Sequence, residues 1–199
     1  MIAALVAKGQ RVAVSSNSNE AINNLLLKVQ DCLDQMSNDA LVVKVASSTG
    51  EKSDAKALAG TRVQALQDKN LPENPAVLGG TIFTLVKERY DDAPFDLLVI
   101  DEAGQVSLSN LLYLSRVARN IVLVGDQQQL SQPNKAAHPD DSGLSCLDYA
   151  MMNDPVVPPD RGVFLATSWR MPPSLTQMVS RLFYKGELQA AEANNANRV

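Results

Sequence analysis

The chain has 199 residues, of which 45% are hydrophobic and 20% are charged, and its formal net charge is −4. This size suits one domain with an appendage, and the composition is that of an ordinary globular protein. The acidic balance gives no general attraction to nucleic acid, so a nucleic-acid function has to rest on local motifs. The chain contains no apolar run of the roughly 18 to 20 residues that a membrane-spanning helix needs. We therefore expect a soluble, unsecreted protein with no membrane partner.

The two cysteines and the single histidine limit the chemistry. Cys32 and Cys146 lie far apart without CxxC spacing, and His138 is the only histidine. A zinc site or a Ser-His-Asp triad therefore has too few members. We expect both thiols to be free, which suits a reducing cytoplasm.

Short β-branched runs alternate with stretches of helical periodicity, and this order predicts a parallel sheet covered by helices. The predicted strands are residues 11–14, 41–45, 76–79, 97–100, 121–124 and 163–165. The predicted helices are residues 22–33, capped by Ser18 or Asn19, then 54–66, 108–118 and a late helix that begins at Pro172 and Pro173. The polar stretches 132–142 and 151–161 are predicted loops, and the last ten residues are expected to fray.

An apolar strand runs directly into two adjacent acids, Asp101 and Glu102. They lie at the carboxyl edge of the predicted sheet, where open α/β sheets bind ligands. In a nucleotide hydrolase the first carboxylate can hold Mg²⁺ while the second accepts a proton from the attacking water. The alternative is that the pair only places negative charge at the start of the next helix.

The next predicted strand also ends in polar residues, within the segment GDQQQL that begins at Gly125. A glutamine there can hydrogen-bond both a γ-phosphate oxygen and neighbouring backbone, so Gln129 is the candidate phosphate sensor. Gly125 lets the chain turn close by. The alternative is a Gly-Asp turn with solvated glutamines, but two neighbouring strands with polar ends together favour a nucleotide site.

Five segments resemble motifs of the superfamily 1 helicases, in the branch that contains the nonsense-mediated-decay helicases and the DNA-replication helicase-nucleases. In chain order, VAVSSNSNEAINNLL is similar to motif Ia, LGGTIFTL to motif Ib, LLVIDEAGQ to motif II and LVGDQQQLSQP to motif III. FLATSWRMPPSLTQMVSRLFYKGEL is similar to motif IV, which opens the second motor domain. The tract after motif III resembles most the bacterial helicases that are fused to a RecB-like nuclease.

The resemblance implies an α/β fold with a RecA-like parallel sheet and helices on both faces, incomplete at the N-terminus. This partial first motor domain would span residues 1–160, and residues 161–199 would begin a second RecA-like domain. The implied cofactors are ATP and Mg²⁺. The implied partner is single-stranded DNA, with RNA as the alternative.

The resemblance also implies roles for individual residues. The catalytic group would be Glu102 as general base, Gln129 as phosphate sensor and Arg170 as an arginine finger that reaches the γ-phosphate from across the cleft. The nucleotide-binding group would be Asp101, which also holds the metal, with Gln105, Asp126 and Trp169, the last stacking on the adenine. The nucleic-acid-binding group would be Ser18, Asn19 and Thr81. The alternative for Trp169 and Arg170 is a core tryptophan beside a surface arginine.

The chain departs from the family pattern because it contains no GxxxxGK[ST] phosphate-binding loop and no motif V or VI. Residues 1–5 look like the tail of the helix that this loop opens, so we expect the chain to be a fragment of a longer protein. Without the loop's lysine and hydroxyl, the fragment alone is expected to be inactive. Smaller departures, at Ser131, Gln132 and Pro172, remove no proposed phosphate ligand.

Three functions are consistent with these features. The first is a fragment of an ATP-dependent helicase or translocase that moves on single-stranded nucleic acid. The second is a non-catalytic, ATPase-like module that binds nucleic acid, and the absent loop speaks for it. The third is an unrelated nucleotide-binding α/β protein such as a small-molecule kinase. In that case the Ser-Asn turn at Ser18 and Asn19 and the Ser-Trp-Arg-Met segment at residues 168–171 are coincidental.

Overall fold

The computed structural model describes residues 1–46, 51–86, 94–129, 143–152 and 154–193. The chain divides into two compact units, Met1–Asp126 with Ser131–Leu147, and Gln127–Leu130 with Asp148–Val199. The assignment of residues 1–160 to a first motor domain and of residues 161–199 to a second stays a prediction.

A parallel six-stranded sheet forms the centre of the first unit. Its strands are β1 (Val12–Ser15), β2 (Val42–Val45), β3 (Gln64–Leu66), β4 (Val77–Gly79), β5 (Leu97–Ile100) and β6 (Ile121–Leu123). The order across the sheet is β3-β2-β4-β1-β5-β6, and each neighbouring pair is parallel. The carboxyl ends of these strands therefore meet at one edge of the sheet.

The helices of the first unit precede its strands or lie between them, and one more helix follows β6 and extends into the second unit. They are α1 (Ile2–Val6), α2 (Asn19–Gln35), α3 (Glu51–Ala57), α4 (Ile82–Leu85) and α5 (Leu108–Leu114), followed by α6 (Cys146–Met151). The alternation of strands and helices follows the predicted order, with α4, α6 and β3 as additions that the periodicity did not reveal, and α1 agrees with the expectation that residues 1–5 are the end of a helix.

Both faces of the sheet are covered. On β1, Ala13 belongs to one buried apolar cluster, while Val12 and Val14 belong to another, because successive side chains of a strand point to opposite faces. Leu85 of α4 and Leu114 of α5 complete the first cluster, and the buried stripe of α2 completes the second. This confirms the predicted RecA-like α/β core with helices on both faces.

Helix α2 forms as its sequence predicts. Ser18 is its N-cap, and the Ser18 hydroxyl oxygen accepts a hydrogen bond from the Ala21 N–H at 3.0 Å, which decides between the two predicted caps. The apolar residues of its inner face recur at helical spacing and are buried: Ile22, Leu26, Val29 and Leu33.

Two predicted helices are too long at their carboxyl ends. The helix predicted over residues 54–66 is wrong beyond Ala57, because Gly60 takes the left-handed conformation with φ +77° and the chain then enters β3, which pairs with β2. The helix predicted over 108–118 ends at Leu114, because the Phe95 N–H binds the Val117 carbonyl at 2.8 Å and draws this segment toward the sheet.

The second unit contains the strands β7 (Thr167–Ser168) and β8 (Gln189–Ala190), which pair in parallel, and the helix α7 (Pro173–Phe183). The predicted late helix is confirmed, with Pro173 in its first turn. The strand predicted over 163–165 is wrong. Val163 and Leu165 are 82% and 77% exposed, pairing begins only at Thr167, and no strand among the described residues pairs with residues 163–165.

The remaining predictions concern loops, thiols and termini. After Met151, which ends α6, the described part of residues 152–161 contains no helix or strand, as predicted. Neither Cys32 nor Cys146 is in a disulfide bond, as predicted, and the Cys146 thiol donates a hydrogen bond to the Ala103 carbonyl at 3.3 Å. Residues 132–142, with His138, and the last six residues lie outside the described part of the chain. None of the helices within the described ranges combines the length and apolarity that crossing a bilayer requires.

Candidate functional site

Most of the predicted site residues in the first unit follow four neighbouring strands at the carboxyl edge of the sheet. In the order of the strands across the sheet, these are Thr81 after β4, Ser18 and Asn19 after β1, Asp101, Glu102 and Gln105 after β5, and Asp126 after β6. Parallel strands end at the same edge of a sheet. The residues predicted to bind nucleotide and those predicted to bind nucleic acid therefore lie along the same edge.

Asp101 is anchored by the sheet. Its N–H donates to the Ser15 carbonyl at 2.9 Å, which extends the pairing of β5 with β1 by one residue. The preceding residues of β5 are buried, whereas Asp101 itself is half-buried. Asp101 therefore lies at a strand end held by the sheet and is partly accessible to solvent, which suits a metal or phosphate ligand.

Glu102 has an unusual backbone. Its φ of 55° and ψ of 43° lie in the left-handed region, which residues other than glycine rarely adopt. Glu102 begins a short 3₁₀ helix, Ala103–Gln105, and the Ala103 N–H donates to the Val124 carbonyl at 2.9 Å. Backbone strain of this kind is found most often where a side chain has to be aimed at a ligand, which is consistent with the predicted role of Glu102.

Gly125 brings the chain after β6 against the loop after β5. A Cβ atom at this position would lie 2.9 Å from the Ala103 nitrogen and 3.2 Å from the Gly104 nitrogen, which is closer than backbone atoms allow. Only glycine therefore permits this approach. The next residue, the half-buried Asp126, is placed next to the loop that carries Glu102.

Asn17 connects the loop after β1 with the loop after β5. Its Nδ2 donates a hydrogen bond to the Gln105 carbonyl oxygen at 2.6 Å. The Ser-Asn turn is thus joined directly to the loop that carries Asp101 and Glu102, which we call the carboxylate loop. Asn17 was not predicted from the sequence, because the sequence alone does not reveal that β1 and β5 are neighbours. Its position two residues before Asn19 was the available signal.

The predicted nucleic-acid-binding residues each retain a polar group at this edge. Ser18 is exposed, and because its oxygen accepts the capping bond, its O–H remains available to donate. The Asn19 Oδ1 accepts a hydrogen bond from the Lys44 ammonium at 2.9 Å. Thr81 precedes α4, and its hydroxyl lies 3.3 Å from the Thr84 hydroxyl.

Three predicted residues belong to the second unit. Gln129, Trp169 and Arg170 are all exposed, and Trp169 is 74% exposed. The alternative of a core tryptophan is therefore wrong for this unit. The roles of Gln129, Trp169 and Arg170 at a nucleotide stay predictions.

Asp154 and Lys185 form an ion pair in the second unit that the sequence did not reveal. The Lys185 ammonium lies 2.8 Å from the Asp154 carboxylate, and this hydrogen bond lowers the pKa of Asp154 below its usual value. Two open clefts of about 400 and 490 Å³ lie in the same unit, one beside α7 and one lined by residues such as Val156 and Lys185. The residues predicted to bind ligands line neither cleft.

The oxygen ligands at the carboxyl edge fit Mg²⁺. Within the described ranges, no three His, Cys, Asp or Glu side chains converge in a way that would hold a metal ion. Mg²⁺ that accompanies a nucleotide needs only one or two protein carboxylates, because phosphates and waters supply the other ligands. The half-buried carboxylate of Asp101 meets that requirement.

Comparison with known proteins gives relatives over nearly the whole chain. A family profile described as an AAA domain matches residues 50–132. The chain is 26% identical over 192 residues to the DNA replication ATP-dependent helicase/nuclease dna2 of Schizosaccharomyces pombe, covering 94% of the chain and 13% of that protein. It is 29% identical over 198 residues to the ATP-dependent helicase NAM7 of Saccharomyces cerevisiae, covering 93% and 18%.

A plant protein is similar to the same degree. The probable helicase MAGATAMA 3 of Arabidopsis thaliana is 26% identical over 190 residues, covering 93% of the chain and 22% of that protein. The chain therefore spans between 13% and 22% of the length of these three relatives.

Proposed function

Because the chain belongs to the superfamily 1 helicases, in the branch of the DNA-replication and nonsense-mediated-decay enzymes, we propose that the protein containing it is an ATP-dependent helicase or translocase acting on single-stranded nucleic acid. ATP hydrolysis would drive its movement along the strand. The relatives named as DNA replication helicase/nucleases support single-stranded DNA over RNA as the partner.

The observation that carries the proposal is the arrangement of polar groups along the sheet edge. The carboxylates of Asp101 and Glu102 follow β5, and the Ser-Asn turn follows the adjacent strand β1. Asn17 joins the two through its hydrogen bond to the Gln105 carbonyl. A change at a nucleotide bound beside β5 could therefore move the turn that would bind the strand.

On the nucleotide side, we assign one task to each carboxylate. Asp101 would hold Mg²⁺, which neutralises charge on the phosphates when it is bound with ATP. Glu102, at the left-handed turn where the strand end passes into the 3₁₀ helix, would accept the proton of the attacking water on its carboxylate. Gly125 allows the segment GDQQQL to begin directly beside the carboxylate loop. Gln129 of that segment would be the phosphate sensor.

On the nucleic-acid side, neutral hydrogen-bond donors would contact the phosphodiester backbone. The Ser18 and Thr81 hydroxyls and the Asn19 amide follow the adjacent strands β1 and β4. Contacts of this kind position a strand without reading its sequence. They also agree with the net charge of −4, since this binding does not depend on a generally basic surface.

Glu102→Gln tests the proposal in the intact protein that contains this chain. The substitution keeps the size of the side chain but removes the base, so we expect ATP turnover stimulated by single-stranded DNA to fall about 100-fold or more. The measurement is steady-state ATPase with and without oligothymidylate, together with the affinity for the oligonucleotide, which should stay close to that of the wild type.

Glu73→Gln is the matched control, because Glu73 is an exposed carboxylate that precedes β4, at the opposite edge of the sheet from Glu102. Equal ATP turnover in the wild type and Glu102→Gln would remove Glu102 as the base. An intact protein that binds oligothymidylate but hydrolyses no ATP would instead be a non-catalytic binding module.

A further inference from the structure

Lys44 is a charged residue in the interior of the first unit. It lies on β2, and its side chain is 0% exposed. The ammonium donates hydrogen bonds to the Val45 carbonyl and to the Asn19 Oδ1, both at 2.9 Å, and lies 3.6 Å from the Asp54 carboxylate. Lysine is almost never fully buried without a partner, so these contacts account for its stability in the interior.

Asp54 ties Lys44 to two helices. It belongs to α3 and is 1% exposed, and its Oδ1 accepts a hydrogen bond from the Nδ2 of Asn23 in α2 at 3.0 Å. Asn19 begins the same helix α2. The buried cluster of Lys44, Asp54, Asn23 and Asn19 therefore connects β2 and α3 with the first turns of α2.

The chemistry of lysine dictates how the Asn19 side chain is oriented. An ammonium group can only donate hydrogen bonds. It can therefore pair with the Asn19 amide in only one orientation, with Oδ1 toward Lys44. The Asn19 Nδ2 then points away from the buried ammonium. In the part of the chain that the structure describes, Nδ2 has no hydrogen-bond acceptor, and Asn19 is half-buried beside the exposed Ser18.

We propose that Lys44 is a positioning residue for nucleic-acid binding, because it holds the Asn19 oxygen inward and thereby presents the Asn19 amide nitrogen to a phosphodiester oxygen of a single strand. The inference rests on the proposed function, in which Asn19 contacts the strand. A buried apolar side chain of similar volume would cost less than a buried ion pair, so a specific orienting role explains the presence of charge here.

Binding of labelled oligothymidylate to the full chain, without nucleotide, tests the proposal. Asn19→Ala removes the donor and should weaken binding about 10-fold. Lys44→Met combined with Asp54→Asn removes both buried charges and lets the amide of Asn19 rotate, so binding should weaken about 3- to 10-fold. Lys44→Arg also only donates hydrogen bonds and should bind within about twofold of the wild type.

A double-mutant cycle separates orientation from a merely structural effect. If Lys44 acts through Asn19, the Lys44→Met/Asp54→Asn pair should cause no further loss in an Asn19→Ala background. Asn19→Asp gives a second readout. It keeps the contact with Lys44 but replaces the donor by an acceptor, so the urea-unfolding midpoint should be retained while binding is lost.

The control for charge is Lys8→Met, because Lys8 is exposed and precedes β1, at the opposite edge of the sheet from Ser18. Unchanged binding by Asn19→Ala would contradict the proposed function at this turn. Weakened binding by Asn19→Ala with wild-type binding by the folded Lys44→Met/Asp54→Asn variant would overturn the inference alone. Independent, additive losses in the cycle would also overturn it.

Discussion

Glu102 and Gly125 show how two residues with special backbone requirements define one corner of the candidate site. Glu102 is held at a φ of 55°, where a side chain costs energy that a glycine would not. Gly125 lies so close to the Ala103 nitrogen that no other residue fits without movement of the backbone. Glu102 adopts a backbone conformation that a glutamate does not favour, and Gly125 is required because a side chain would not fit. Both residues shape the same carboxylate loop.

Gly125→Ala should disturb this corner. The added Cβ would meet backbone at 2.9 Å, so we expect a loss of about 1 to 3 kcal/mol in the free energy of unfolding, together with a shift of the carboxylate loop. Chemical unfolding and ATPase activity of the intact protein measure the two effects. The fall in activity should exceed what the loss of folded protein accounts for.

Gly60→Ala provides the comparison for Gly125→Ala. Gly60 has a φ of +77° and open space around it, so alanine there should cost about 1 to 2 kcal/mol through backbone strain alone. Its specific activity should remain normal because Gly60 precedes the edge strand β3, which lies four strands away from β5 and at the amino edge of the sheet. If both variants lose activity in proportion to stability, Gly125 has no particular role at the site.

At the scale of the elements, the junction of β1 and α2 serves both the fold and the proposed function. Ser18 ends the loop after β1 and caps α2 through its bond to the Ala21 N–H at 3.0 Å. The same hydroxyl is one of the predicted strand contacts. Stability and binding can be separated at this position because a cap needs an acceptor, whereas a phosphate needs a donor.

Ser18→Ala should lower the free energy of unfolding by about 1 kcal/mol, because the first turn of α2 loses its cap. Ser18→Asp should restore the cap and its stability, but its negative charge should repel a phosphodiester backbone and weaken binding of single-stranded DNA. Urea unfolding and oligonucleotide titration measure the pair. Restored binding in Ser18→Asp would show that Ser18 acts only as a cap.

Elements whose sequence is locally consistent were predictable, and those decided by distant neighbours were not. Helix α2 has a cap and an unbroken apolar stripe, so both its position and its buried face followed from the pattern. The segment after α3 has comparable apolar residues, but it forms β3 because β2 is available for pairing. Residues 163–165 have the composition of a strand, but within the described part of the chain no strand pairs with them.

On the scale of the whole molecule, a single buried ion pair should make global stability depend on pH. Burial of Lys44 lowers its pKa from the ordinary value of 10.5, and the nearby Asp54 carboxylate offsets this only in part. Between the lowered pKa and 10.5, the unfolded chain binds a proton that the folded chain does not. The free energy of unfolding should therefore rise with pH through this window.

The comparison is with Lys44→Met/Asp54→Asn, which lacks the titrating group. We expect the free energy of unfolding of the wild type, relative to this variant, to increase as the pH rises from the lowered pKa of Lys44 toward 10.5. Urea unfolding at a series of pH values measures the difference. A difference that stays constant or decreases would mean that burial does not destabilise the charged form of Lys44.

The sequence by itself determined the chemistry-bearing junctions, because each is local. A buried strand followed by Asp101 and Glu102, and a second followed by Ser18 and Asn19, can be read from consecutive residues, and so can the resemblance to the helicase motifs. The α/β class follows in the same way from the alternation of elements.

Only the tertiary structure decided which junctions are neighbours. The Asn17 bond to Gln105 joins residues 88 positions apart, and the Lys44 bond to Asn19 joins residues 25 apart. Such contacts depend on the strand order β3-β2-β4-β1-β5-β6, which hydrophobic periodicity does not encode. The sequence therefore determined which groups are available to the candidate site, and the sheet order decided which of them lie together.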